Sequence, residues 1–260
     1  MTDVRNAEGP LGGKVAVVTG AGRGIGRGIA NALARAGSAA VLVDQDGDNA
    51  EATAAGIRAN GGNAMAMTCD VSDRSAVSQV VSTVVEAFGH LDILVNNAQA
   101  LRPMIPLAEC PPDDLALTLD SGVWGTFHFM QLCYPHMAKQ GAGCIVNLGS
   151  SAGTHGQVGL GPYAAAKEAI RGLSRVAALE WGKDGITVNV LCPSVMTPSA
   201  RKWAKENPAE HQGFLTRRAV PRDGDAVEDV GATVVFLASS GATFISGETI
   251  MVNGGGSMRP

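Results

Sequence analysis

Basic charge is scarce in this chain. Its 260 residues carry 20 Lys and Arg against 24 Asp and Glu, a formal net charge of −4. A nucleic-acid partner needs a basic field to neutralise phosphates, and no Lys/Arg-rich run supplies one. Charge of either sign is low, at 17% of residues, which leaves surface to be covered by self-association. Long hydrophobic runs are missing as well. Gly, Pro or a charged residue cuts every apolar stretch before it reaches the ~20 residues of a membrane span, so no membrane partner is expected. Met1–Gly13 is polar and contains Gly and Pro, unlike a secretory signal. It is expected to be a loose tail, and the protein to be cytoplasmic. The five cysteines (Cys69, Cys110, Cys133, Cys144, Cys192) are scattered and form no C-x-x-C pair. They read as small buried hydrophobes in a reducing compartment. The five histidines have no ligand spacing with one another or with cysteine, so no metal site is expected.

Apolar residues make up 45% of the chain, enough at this length for one α/β domain with a full core. Short Val/Ile/Leu runs alternate with helix-patterned segments. Strands are expected at 14–19, 39–44, 64–68, 91–95, 144–148, 186–191 and 249–252. Helices are expected at 25–36, 49–60, 75–88, about 112–139, 163–181 and 227–238. Continuously apolar strands alternating with helices predict a parallel sheet covered on both faces, doubly wound, with ligands at the carboxyl ends of its strands. The segment 193–221 lacks strong periodicity and follows a strand end. It is expected to be a lid over the site, the alternative being an ordinary surface excursion.

Two constellations carry chemistry. Thr19-Gly20-Ala21-Gly22-Arg23-Gly24-Ile25-Gly26 lies between an apolar strand and a helix-patterned segment. Glycines there let backbone approach a pyrophosphate, and the helix start offers free N–H groups and a positive dipole end. Such a loop alone can be a plain turn. Asp44, however, ends the next apolar run, where a carboxylate can accept bonds from ribose hydroxyls. The second constellation is Tyr163-Ala164-Ala165-Ala166-Lys167. A phenol and an ammonium four apart share a helix face. The ammonium is expected to lower the phenol's pKa and make it a general acid/base. Ser150, at the end of an apolar strand, can hydrogen-bond a substrate oxygen.

From about Lys14 to Gly255 the chain resembles the classical short-chain dehydrogenase/reductase family. The glycine loop resembles its T-G-x-x-x-G-x-G cofactor loop, and Asp70-Val71 its adenine-contacting acid and neighbour. Asn96-Asn97-Ala98 resembles the start of its N-N-A-G. Ser150 precedes Tyr163 by 13 residues, the family's spacing. Phe244–Glu248 and Val252–Gly255 resemble its C-terminal strand region. The resemblance implies a single Rossmann-type domain over 14–260 with about seven parallel strands. It implies Ser150, Tyr163 and Lys167 as catalytic residues, with Tyr163 exchanging a proton with the substrate oxygen. Lys167 would also bond the nicotinamide ribose. Gly20, Arg23, Gly24, Ile25, Gly26, Asp44, Asp70, Val71, Asn96 and Ala98 would contact the cofactor, with Thr197 and the Val195 backbone at the nicotinamide. The Asp44 carboxylate, followed by Gln45, favours NAD(H) over NADP(H), with Arg23 pointing the other way. The resemblance also implies a homotetramer.

Three departures stand out. Gln99 replaces the Gly of N-N-A-G. Ser194 replaces the Gly of a P-G turn. Gly122 stands where the family's Asn offers its backbone carbonyl to a water linked to the lysine. Glycine keeps that carbonyl, so Gly122→Asn is expected to leave activity unchanged or raise it modestly. The substrate pocket is expected among Leu101, Met104, His155, Gln157, Leu160, Met196, Trp203 and Phe214; these loops hold no Arg/Lys cluster to grip a phosphate or an acyl-carrier partner, though Arg102, Arg201 and Lys202 leave that open. That lining suggests an apolar secondary alcohol or ketone. The alternatives are a 3-oxoacyl thioester reductase using NADPH, and a dinucleotide-binding homologue with little turnover.

Overall fold

The computed structural model describes residues 9–257. Seven strands form one parallel sheet in the order β3-β2-β1-β4-β5-β6-β7. They are β1 (Val15–Thr19), β2 (Ala39–Asp44), β3 (Ala64–Thr68), β4 (Ile93–Asn96), β5 (Gly143–Leu148), β6 (Ile186–Pro193) and β7 (Thr249–Val252). Helices α1 (Gly24–Arg35), α2 (Gly47–Ala59) and α3 (Arg74–Phe88) connect the first four strands. After β4 come α4 (Pro112–Thr118) and α5 (Gly125–Gln140), and after β5 the short α6 (Ser151–His155) and long α7 (Gly161–Trp181). Then follow α8 (Pro198–Glu206), α9 (Pro208–Thr216) and α10 (Ala232–Ala238). No helix among the described residues is long and apolar enough to cross a membrane.

Two buried layers hold the sheet. One packs α1 and α10 on one face, through Ile29, Leu33, Val234 and Leu237. The other packs α3 and α5 on the opposite face, through Val77, Val84, Phe129 and Met137. Burial of each such side chain contributes roughly 1.5–3 kcal/mol. Sharp helix ends follow from local chemistry. The Asp73 carboxylate accepts from Ser75 N at 2.8 Å to start α3, and Gly89 stops it at φ 82°.

Three expectations change. Residues 9–13 are not a loose tail: Leu11 is fully buried and its N–H donates to Ala36 O at 2.9 Å. One apolar side chain among Gly and Pro fills the corner beneath α1. The rest of the expected tail, 1–8, lies outside the described residues. The expected helix over 112–139 is divided by a wide, π-type turn at Leu119–Trp124. A similar wide turn, Ala226–Gly231, precedes α10. Such turns break the regular helical hydrogen-bond spacing and often lie at functional sites.

Candidate active site

The strand order reverses between β1 and β4, which opens a crevice at their carboxyl ends. A cleft of about 550 Å³ occupies it, within the usual range for a small-molecule site. Gly20, Arg23 and Ile25 line it from the glycine loop, and Asp44 from the end of β2. Asp70, Val71, Ala98 and Thr197 complete the expected set that reaches it.

The glycine loop is built by close approach. Gly20 has φ +64°, and a Cβ there would come within 2.9 Å of Ala98 Cα. A Cβ on Gly26 would lie 2.5 Å from Asn97 Nδ2. Gly24 has φ +57° and open space beside it. Its neighbour Arg23 is the N-cap of α1, makes no side-chain cap bond, and no acid sits in the first turn. The first N–H groups of α1 therefore keep the donors and dipole end that suit a pyrophosphate. Asp44 closes the loop from the other side: its Oδ2 accepts from Gly22 N at 2.9 Å and its Oδ1 from Asp46 N at 3.1 Å. The residues present fit a dinucleotide.

Asn96 is not among the residues that line the cleft. It is buried and its Nδ2 donates to Asn147 Oδ1 at 2.8 Å, while Asn147 Nδ2 donates to Ser174 Oγ at 2.8 Å. That polar chain runs through the core beneath the cleft. Asn97 lines the cleft in its place, and its Nδ2 donates to Thr19 O and Gly20 O at 2.9 and 3.0 Å. Strand alternation puts neighbouring asparagines on opposite faces, a signal available in the sequence.

Ser150, Tyr163 and Lys167 converge at the end of β5. Ser150 caps α6, its Oγ accepting from Ala152 N at 3.1 Å, and its hydroxyl lies beside that of Tyr163, where it lowers the phenol's pKa. Lys167 is buried, and its Nζ donates to Leu148 O at 2.8 Å. It stands 5.4 Å from the centre of the Tyr163 ring. The expected electrostatics change here. Burial raises the Tyr163 pKa, and the group that opposes the rise is Ser150, not Lys167. Burial also pushes Lys167 down to about 8. Both shifts disfavour charge in a dry site.

A second, smaller and half-open cavity adjoins Tyr163. Leu101 and Leu160 line it as expected, but so do Ile105 and Cys110 from the segment before α4 and Asp114 and Thr118 from α4 itself, which were not foreseen. Arg102 borders both cavities and lies 3.7 Å from Asp114. Trp203 and Phe214 instead pack inside the segment after β6: Trp203 edge-on to His211, Phe214 under the Arg218 guanidinium at 4.4 Å. That segment folds into α8 and α9. Ser194 explains its own departure, since its Oγ accepts from Arg218 Nη2 at 2.6 Å. The other two departures meet each other. The Gln99 side chain fills the space beside Gly122, where a Cβ would come within 2.7 Å of Gln99 Cδ and Nε2. An Asn at 122 therefore requires the Gln99 side chain to move.

Residues 20–257 match the family model described as enoyl-(acyl carrier protein) reductase. A 12alpha-hydroxysteroid dehydrogenase of Clostridium sp. is 41% identical over 259 residues, covering 97% of this chain and 100% of that protein. The chain belongs to the classical short-chain dehydrogenase/reductase family. A 3-oxoacyl-[acyl-carrier-protein] reductase of Staphylococcus aureus is 38% identical over 249 residues, covering 93% of this short-chain dehydrogenase/reductase and 97% of the relative. The crystal structure of a candidate short-chain alcohol dehydrogenase from Sinorhizobium meliloti 1021 superposes with a TM-score of 0.87 at 33% identity, covering 94% of this chain and 96% of that one. The protein is thus an oxidoreductase of a family that binds a nicotinamide dinucleotide and acts on small molecules.

The chain has two tyrosines, so Tyr163 can be titrated alone in a Tyr134→Phe background. There Ser150→Ala is expected to move the tyrosinate absorbance transition to higher pH, because the hydroxyl that opposes burial is gone. An unchanged or lower transition contradicts the electrostatics described above.

Proposed function

We propose that this protein is an NAD(H)-dependent dehydrogenase that interconverts a bulky, apolar secondary alcohol and its ketone. The observation that carries the reading is the convergence of Ser150 and Tyr163 on buried Lys167, which stands 5.4 Å from the Tyr163 ring, at the strand ends next to the dinucleotide cleft. The 41% identity to a hydroxysteroid dehydrogenase supports an alicyclic or steroid-like substrate. The Asp44 carboxylate at the cleft wall supports NAD(H), since it offers acceptors to ribose hydroxyls and repels a 2′-phosphate.

Bound nicotinamide supplies the hydride acceptor in oxidation and the donor in reduction. Gly20, Gly24, Ile25 and Gly26 would hold the pyrophosphate, Asp44 the adenosine ribose, and Asp70 and Val71 the adenine. Ala98, Val195 and Thr197 would hold the nicotinamide end. Asn96 would act from beneath, through the core chain it joins. In oxidation Tyr163 takes the proton of the substrate hydroxyl as the carbinol C–H bond breaks. In reduction it returns a proton to the carbonyl oxygen. Ser150 holds that oxygen through its hydroxyl. Lys167 places a buried ammonium next to the ring and would bond the nicotinamide ribose. Residues 193–221 form the lid, latched by Arg218 through Ser194 and the Arg222 carbonyl.

We further infer a homotetramer. Val176 and Leu179 on α7 and Trp124 in the wide turn are exposed, as are Phe236 on α10 and Phe244 beyond it. Two such apolar faces suit two different two-fold contacts. The cysteines, none of them in a disulfide among the described residues, support a cytoplasmic location.

The test is turnover of hydroxysteroids and other secondary alcohols with NAD⁺ and, in parallel, NADP⁺. Oxidation is expected with NAD⁺ at no less than about tenfold the efficiency found with NADP⁺. Tyr163→Phe is expected to lower kcat by about 10²–10⁴-fold and leave NADH affinity unchanged. Efficient NADPH-dependent reduction of β-ketoacyl thioesters, with no alcohol oxidised, would contradict the assignment. Sedimentation at micromolar concentration is expected to give a tetramer; a monomer rejects that part.

A further inference from the structure

Gln99 and Gly122 each depart from the family pattern, and they touch. The Gln99 side chain leaves the loop after β4 and enters the wide turn Leu119–Trp124. Its Nε2 donates to Thr118 O at 2.9 Å and to Ala100 O at 3.2 Å. The amide stands in the volume that a side chain at 122 would need. Gln99 can yield that volume only by releasing Thr118 O, the carbonyl of a buried residue at the start of the turn. A second tie runs beside the first. Ala100 N donates to Ser121 Oγ at 3.0 Å, and Ser121 Oγ donates to Leu117 O at 2.7 Å.

These bonds matter because of what lies on either side. Gln99 and Ser121 both line the dinucleotide cleft. The wide turn packs against α7, the helix that carries Tyr163 and Lys167. The Gln99–Gly122 contact therefore fixes one wall of the cleft relative to the helix of the reacting groups. Gln99 Oε1 is buried and has no hydrogen-bond partner among the described residues. A residue serving only to fill the core would not be expected to leave an acceptor orphaned there.

We propose that Gln99 is a positioning residue of the active site, and that Gly122 is its required complement: the amide, not a side chain at 122, holds the wide turn in register with α7. This rests on the reading of Ser150, Tyr163 and Lys167 given above. Neither substitution is tolerable without the other. Gly122→Asn drives the amide off Thr118 O. Gln99→Gly leaves a hole beside Gly122 and strips the same carbonyl of its donor.

The test compares the wild type with Gln99→Gly, Gly122→Asn, the double variant and Gln99→Met. Turnover of an alcohol with NAD⁺, NADH affinity and the urea midpoint are read for each. Each single variant is expected to lose about tenfold or more in kcat/KM, and the double to recover most of that loss, as coupled neighbours do. Gln99→Met keeps the volume and loses the donor. It is expected to hold the urea midpoint close to wild type while kcat falls, which a filler would not do. Losses that multiply in the double variant, or full kcat in Gln99→Met, overturn the proposal. Should the wild type oxidise no alcohol, the proposed function fails on its own. The pair is then decided by NADH affinity and the urea midpoint: recovery in the double supports the coupling, and additive losses reject it.

Discussion

The two halves of the sheet meet at Thr19 and Asn97. Thr19 Oγ accepts from Asn97 N and Ala98 N, both at 3.0 Å, and Asn97 Nδ2 returns to the Thr19 and Gly20 carbonyls. This lock ties the carboxyl end of β1 to the carboxyl end of β4, where the strand order reverses. Everything in the cleft is set from it. The glycine loop leaves on one side and is pinned to Asp44. The loop that carries Gln99 leaves on the other and reaches the wide turn, which packs on α7.

The chemistry of the site follows from dryness. Burial raises the phenol of Tyr163 and lowers the ammonium of Lys167, so each charge is disfavoured until a partner arrives. Ser150 is the polar group already in place to favour the phenolate. Lys167 is tethered to the β5 carbonyl of Leu148, close to the ring but not bonded to it. Burial lifts the thiols of Cys69 and Cys144 to about 11, which keeps them unreactive.

Much of the fold was legible because its strands are continuous apolar runs and its helices end at glycines such as Gly89. The order of the cofactor loop, Asp44, Ser150, Tyr163 and Lys167 along the chain sufficed to bring them to one end of one sheet. What escaped the sequence depends on contacts between distant elements. Leu11 offers no periodicity to read. The wide turn within 112–139 keeps helical composition and changes only its hydrogen-bond spacing. The partner of Lys167 is a backbone carbonyl, which composition cannot reveal. Gln99 and Gly122 looked like two independent departures, and only the folded chain brings the long side chain to the missing one. Asn96 and Asn97 were separable by alternation, and the family pattern obscured it.

We propose that the loop-bound Asp44 carboxylate, in a cleft shaped by the Thr19–Asn97 lock, selects the cofactor. Calorimetric titration of the wild type with NADH and with NADPH tests it most directly, since it needs no substrate. The account predicts that NADH binds at least about tenfold more tightly, a difference of about 1.4 kcal/mol. Equal binding, or tighter binding of NADPH, would contradict it and shift the weight at the cleft wall from Asp44 to Arg23.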